Sequence, residues 1–122
     1  MNPNRIIEIV CNAYLIAQWT LNYHSTKRSI TEPRQVAQFF VYKLIHLSYT
    51  EIGKLIGGVE RGTVMYSINT VENLIESDYK FRQRITEIDR NLQSIGFKSV
   101  LAPKLSMSTY PERKAMYLNL AK

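Results

Sequence analysis

Between Leu47 and Ile68 the chain carries Ser48-Tyr49-Thr50-Glu51-Ile52-Gly53-Lys54-Leu55-Ile56-Gly57-Gly58-Val59-Glu60-Arg61-Gly62-Thr63-Val64-Met65-Tyr66-Ser67-Ile68. Arg61 offers N–H donors in a planar fork, Thr63 a hydroxyl, Glu60 two acceptor oxygens and Lys54 a compact positive charge. At the first turn of a helix, such groups suit hydrogen bonding to planar acceptors and to phosphate, and the helix's own N-terminal N–H groups add to the attraction for an anion. Covalent chemistry is not indicated. Ser, His and Asp are all present, but in no nucleophile elbow or other catalytic signature. His24 and His46 lack companions at metal-ligand spacing. The residues predict a binding protein rather than an enzyme, with no metal and no cofactor.

Positioning those groups requires two helices meeting at a turn. Ser48 and Glu51 have the S-x-x-E spacing of a capping box, which starts one helix. Ile52, Leu55 and Ile56 are its apolar face, and Gly57-Gly58 end it, since glycine accepts the left-handed conformation of a C-cap. A second helix follows from about Glu60 to Ser77, with Val64, Ile68, Val71 and Ile75 on one side. Ile52, Leu55, Val64 and Ile68 are expected to pin the two helices together, and Gly53 to let their backbones approach. The layout is that of a helix-turn-helix over about residues 48–68, with Glu60, Arg61, Gly62 and Thr63 projecting outward.

Further helices frame this pair. Residues 4–22 carry Ile6, Ile9, Val10, Ala13, Ala17 and Trp19 to Leu21 at helical spacing, with an apolar face wide enough to be buried or to meet a partner. Residues 23–32 break the pattern and read as a loop or arm bearing Lys27 and Arg28. Pro33 suits the first turn of a helix running to about His46, with Val36, Phe40, Leu44 and Leu47 in one stripe. Asp78 caps a fifth helix carried by Phe81, Ile85, Ile88 and Leu92, and Gly96 ends it. A short helix from Pro111 to Leu120 is expected in the tail. The eight tyrosines fall mostly at core spacing and do not form a base-stacking set.

Composition narrows the class. The chain has 122 residues, 45% of them apolar, with five Gly and four Pro, which fits one helical domain with a real core. Sixteen Lys+Arg stand against ten Asp+Glu, for a net charge of +6. The surplus favours phosphate-bearing partners, nucleic acid or anionic membrane. It lies in residues 24–66 and 95–122. Arg82 and Arg84 with Arg90 could touch phosphate, but they are mixed with Glu87 and Asp89, and a solvated helix face is the favoured reading. The tail's Lys98, Lys104, Arg113 and Lys114 stand among Phe97, Tyr110, Met116 and Tyr117. It could extend a binding footprint, dock on a partner or pack on the first helix, and its apolar content favours packing. Cys11 is the only cysteine, expected as a small core residue, and no disulfide is possible within the chain. No signal peptide or membrane span is visible, so a cytoplasmic location is expected.

Three motifs occur in order and at fixed spacing: Pro33-Arg34-Gln35, Leu47-Ser48-Tyr49-Thr50-Glu51-Ile52-Gly53, and Gly57-Gly58-Val59-Glu60-Arg61-Gly62-Thr63-Val64-Met65-Tyr66-Ser67. Through them residues 33–93 resemble the C-terminal DNA-binding domain of the bacterial replication initiator DnaA, whose pattern is P-R-Q, L-S-x-x-E-I-G, then G-G-R-D-H-[ST]-[ST]-V-x-x-[AS]. The resemblance implies that Arg34 and Gln35 hold backbone phosphate. It also implies that Glu60, Arg61, Gly62 and Thr63 face the major groove, and that the arm with Lys27 and Arg28 reaches the minor groove. The chain departs from the pattern with Glu60 for Asp, Arg61 for His, Gly62 for Ser or Thr and Tyr66 for a second His. Base readout depends on these side chains, and an Arg prefers guanine O6/N7, so the initiator's usual site is not the expected target. No G-x-x-x-x-G-K-[ST] occurs, so the domain is expected to stand alone, without the initiator's ATPase domain.

The expectation is therefore an all-α fold of five or six helices with a central helix-turn-helix, of the Trp-repressor/DnaA C-terminal domain type. It is a single domain over 1–122: an N-terminal helix in 1–23, the DnaA-like core in 24–95 and a basic extension in 96–122. The function expected is sequence-preferring binding of double-stranded DNA by a small transcriptional regulator or replication accessory factor, with a phage or mobile element as the guessed source. Arg34 and Gln35, with Lys43 and Lys54, anchor phosphates, and Arg61, Thr63 and their neighbours contact the groove. The alternative is a protein-interaction adaptor that keeps the fold without binding DNA. A homodimer through the N-terminal helix or the C-terminal extension is a weaker expectation.

Overall fold

In a computed structural model that describes residues 2–101, the apolar spacing builds five α-helices and one 3₁₀ turn. They are α1 (Pro3–Tyr14), the 3₁₀ turn Gln18–Asn22, α2 (Arg28–Ile45), α3 (Tyr49–Leu55), α4 (Arg61–Ser77) and α5 (Tyr79–Ser94). No strand occurs among the described residues. The described residues are all-α, as expected. The central element is α2, which packs against α1, the 3₁₀ turn, α3 and α4, while α5 closes the far side against α1 and α4.

The first expected helix is really two elements. It stops at Tyr14 because Leu15 turns left-handed (φ 57°), with Leu15 N–H donating to Asn12 O and Ile16 N–H to Cys11 O. This is a Schellman closure made without glycine, which is why the sequence does not mark it. Packing of Ile16 on the core accompanies the turn. Ala13, Ala17 and Trp19 consequently face outward, Trp19 with 69% of its surface exposed, whereas Ile6, Val10, Cys11 and Leu21 are buried. The apolar face of α1 is used inside the fold, against α2 and α5. Burial also pushes the Cys11 thiol up to about 11, so it stays protonated at neutral pH.

The second correction concerns Pro33 and the arm. α2 begins at Arg28, held by Ile30 and Thr31 N–H groups donating to Lys27 O, so Pro33 lies inside the helix and not in its first turn. The intrahelical bond that proline cannot donate would have gone to Ser29, at the exposed start of the helix, where the loss costs least. Only residues 23–27 remain as an arm. None of the six described tyrosines is fully buried, contrary to their spacing. Tyr23, Tyr66 and Tyr79 are exposed, and Tyr14, Tyr42 and Tyr49 are half-buried.

Downstream of α4, the sequence signals hold. Asp78 Oδ1 accepts from Phe81 N–H at 3.1 Å to cap α5, and Gly96 (φ +106°) ends it. The chain then folds back through Asp89, which is buried on α5 and accepts from Ser99 Oγ at 2.6 Å and Val100 N–H at 2.8 Å. Phe97 and Leu101 complete the core there. Asp89→Ala should cost about 2 kcal/mol, the scale of hydrogen bonds to a charged group. Chemical denaturation would show the loss, and faster amide exchange at Val100 would locate it. The tail helix expected at Pro111 to Leu120 lies outside the described residues. No helix among the described residues is long and apolar enough to cross a membrane.

Candidate nucleic-acid interface

α3, the Gly57-Gly58 turn and α4 form the helix-turn-helix. The capping box at the start of α3 is complete: Glu51 N–H donates to Ser48 Oγ (3.1 Å) and Ser48 N–H to Glu51 Oε1 (3.2 Å). The Ser48 N–H accordingly holds the Glu51 carboxyl below its ordinary range. Both turn glycines have positive φ, +96° and +59°. Gly53 brings the backbones together: Val59 N–H donates to Gly53 O at 3.1 Å, and a Cβ on Gly53 would stand 2.1 Å from Val59 O. Ile52, Val64 and Ile68 pack at the junction as expected, but Ile56 fills the place expected for Leu55, which is partly exposed.

The turn is fastened from outside the motif. Gly57 N–H donates to Asn22 Oδ1 at 2.7 Å, and Gln38 Nε2 donates to Ile56 O at 2.9 Å. Gln38 is fully buried, and its Oε1 has no partner among the described residues. Arg34, one turn of α2 away, lays its stem against the same glycine, since a Cβ on Gly57 would lie 2.8 Å from Arg34 Cδ. Its Nη1 donates to Tyr23 O at 3.3 Å, which ties the arm to the turn. Partial burial lowers the Arg34 guanidinium from its usual value.

The remaining predicted residues fall into three groups. Arg61, Gly62, Thr63 and Tyr66 lie on the exposed side of the first two turns of α4, Glu60 stands at its N-cap, and nothing lies within 4 Å of the space beside Gly62. Tyr66 is 65% exposed. Lys54 is exposed in the last turn of α3, and Gln35 is half-buried beside Arg34. Lys27 is exposed at the start of α2, and Arg28, equally exposed, pairs with Glu32 at 2.9 Å. Lys43 is engaged within the fold. Its Nζ is 2.7 Å from Glu72 of α4 and lies over the Phe39 and Tyr42 rings, so its charge is matched within the fold. His24 and His46 are exposed, and no group of three metal-ligating side chains occurs among the described residues.

Sequence reasoning missed Asn22, Gln38 and the Tyr42–Tyr49 pair. The two tyrosine rings stack at 4.9 Å, with Tyr49 OH donating to Tyr42 OH at 3.1 Å, which raises the Tyr49 hydroxyl while Arg61 works in the opposite direction. The pair joins the last turns of α2 to the first turn of α3, on the side where α4 begins. Gln38 carries a signal, as a single amide inside the apolar run Val36-Ala37-Gln38-Phe39-Phe40-Val41. Asn22 carries none, because its partner is a backbone N–H 35 residues away.

Comparison with known proteins bears on this geometry. The family model described as the bacterial dnaA protein helix-turn-helix matches residues 3–71, more than half of the chain. Chromosomal replication initiator protein DnaA of Borrelia garinii subsp. bavariensis is 34% identical over 88 residues, covering 72% of this chain and 18% of the relative. The protein of the same name from Sphingopyxis alaskensis is 33% identical over 91 residues, covering 75% and 20%. That from Wolbachia of Brugia malayi is 36% identical over 67 residues, covering 53% and 15%. The chain thus spans about a fifth or less of the length of these relatives. The match takes in α3, α4 as far as Val71, Arg34, Gln35 and the Asn22 and Gln38 fastenings, and the chain belongs to the bacterial DnaA helix-turn-helix family.

Proposed function

We propose that this protein binds double-stranded DNA, with α4 in the major groove and the backbone anchored by α2. The observation that carries the reading is the junction at Gly57. This one glycine of the turn is contacted by Asn22 and by the stem of Arg34. A phosphate anchor on α2 is thereby held in fixed register with the helix that presents Arg61, Gly62, Thr63 and Tyr66. Fixed spacing between anchor and reading helix is what sequence-dependent binding requires. Family membership supports the same reading. Arg34, Gln35 and Lys54 serve the phosphates, Lys27 and Arg28 the flanking backbone or minor groove, and Arg61 and Thr63 the base edges. Lys43 is left out of this set because it is held between Glu72 and the Phe39 and Tyr42 rings with its side chain 30% exposed, whereas the paired Arg28 side chain remains 67% exposed.

The role proposed is that of a small transcriptional regulator or replication accessory factor. The departures at Glu60, Arg61, Gly62 and Tyr66 give it a site of its own. Arg61→Ala should erode discrimination at one base pair by roughly 1–3 kcal/mol and leave affinity for random duplex little changed. Selection from random duplexes, followed by competition with single-base variants of the selected site, measures this. Sequence preference intact in Arg61→Ala would remove α4 from the role of reader. One observation favours the adaptor reading instead: Met65 and Tyr66 are exposed apolar residues on α4 and could meet a protein partner. Binding to duplex at low salt separates the two.

A further inference from the structure

A second basic surface lies outside the helix-turn-helix. Arg28 of α2 and Lys80 and Arg84 of α5, some fifty residues apart in the chain, line one open groove with Tyr14 of α1. Its floor is Glu32. Tyr14 OH donates to Glu32 Oε2 at 2.6 Å, Arg28 Nε donates to Oε1 at 2.9 Å, and Arg84 Nη1 lies 3.8 Å from Oε2. Arg84 also stacks 4.8 Å over the Tyr14 ring. The Glu32 side chain is only 16% exposed, while those of Arg28 and Arg84 are 67% and 51% exposed. One sunken carboxylate therefore orients cations whose heads remain in solvent. Three cations stand against it, so two positive charges in the groove have no counterpart there.

We propose that this groove is a second phosphate-binding site, which takes the DNA backbone beyond the segment gripped by the helix-turn-helix. The proposal rests on the DNA-binding reading above. Stability does not explain the cluster, since exposed ion pairs contribute only about 0–1 kcal/mol and the third cation adds repulsion. Position supports the backbone as the ligand. Arg28 and Gln35 are seven residues apart on one face of α2, about 10 Å at 1.5 Å per residue. A strand held at Arg34 and Gln35 and followed toward the start of α2 meets Arg28 and then the groove. In the sequence, Arg82, Arg84 and Arg90 are mixed with acids, and a solvated face is the favoured reading. Folding separates them: Arg82 Nη1 donates to Ile75 O, and Arg84 joins Arg28.

The test is fluorescence anisotropy of a labelled random-sequence duplex with the full chain over a KCl series. Lys80→Gln/Arg84→Gln should reduce the slope of log affinity against log salt by about 1–2, at about 0.9 for each phosphate no longer neutralised. It should weaken binding about tenfold or more at the lower salt concentrations. The charge-matched pair Arg90→Gln/Lys98→Gln, at exposed positions outside the groove, should leave the slope unchanged. If the double variant does not fold, Lys80→Gln alone should lower the slope by about 0.9. A steep wild-type slope retained by the groove variants overturns the proposal and spares the DNA-binding reading. Equal losses from both charge-matched pairs also overturn it, because net charge then explains the effect. A wild type that binds no duplex overturns both.

Discussion

Gly53→Ala should unfold or loosen the helix-turn-helix, at a cost of at least about 3 kcal/mol. The added methyl would sit 2.1 Å from Val59 O, and the obstacle is backbone, not a side chain that could swing aside. α3 would have to move off the turn, stretching the Val59 N–H bond to Gly53 O, and the methyl would also crowd Val64 Cγ2 at 3.3 Å. Overpacking of a tight site costs roughly 1–3 kcal/mol and more where backbone must shift. In a domain of this size, 3 kcal/mol corresponds to a fall in Tm of about 12 °C or more. Thermal unfolding measures it. Trp19, the only tryptophan, lines a shallow groove with Leu55 and Asn22, so its emission reports whether α3 has detached. Gly62→Ala is the internal control. The same methyl at Gly62 enters open space in a helix, and the change should be neutral or stabilising by up to about 1 kcal/mol.

Arg34→Ala should weaken binding to every duplex by a similar factor, about 10- to 100-fold. That range corresponds to roughly 1.5–3 kcal/mol for a charged hydrogen-bonding group. The salt slope should fall by about 0.9, the share of one phosphate. Folding should suffer less, by about 1 kcal/mol, since the stem covers Gly57 but its guanidinium makes only a 3.3 Å bond to Tyr23 O. Arg34→Lys retains the charge without the fork and should recover the slope but only part of the affinity. Equal affinity of wild type and Arg34→Ala at several salt concentrations would remove Arg34 from the anchor role. The contrast with Arg61→Ala is diagnostic. An anchor lowers all sequences together, and a reader lowers the difference between them.

Much of the fold is legible locally, wherever a short-range device sets the backbone. The capping box at Ser48 and Glu51, the cap at Asp78 and the positive-φ glycines at 57, 58 and 96 each act within a few residues, and the structure has all of them. What the sequence hides depends on distant partners or on residues acting against type. Leu15 turns left-handed without being glycine, so α1 looks longer than it is, whereas α2 ends at Ile45, capped by a left-handed His46, where its apolar stripe leads one to expect. Pro33 invites a helix start and instead lies five residues inside α2, whose opening turn is set by Lys27 O. The candidate site divides in the same way. The outward set on α4 follows from helical spacing alone. The fastening of the turn by Asn22 and Gln38, the pairing of Lys43 with Glu72 and the gathering of Arg28, Lys80 and Arg84 need the tertiary fold.

Duplex binding by the helix-turn-helix is tested most directly by titrating the wild-type chain into a labelled random-sequence duplex at salt concentrations from about 50 to 200 mM. Phosphate contacts release counterions, and each contributes about 0.9 to the slope of log affinity against log salt. With Lys27, Arg28, Arg34 and Lys54 on the backbone, affinity should fall with a slope of at least about 3. An absence of binding at the lowest salt, or affinity that does not change across the series, would contradict DNA binding and leave the interaction-adaptor reading in its place.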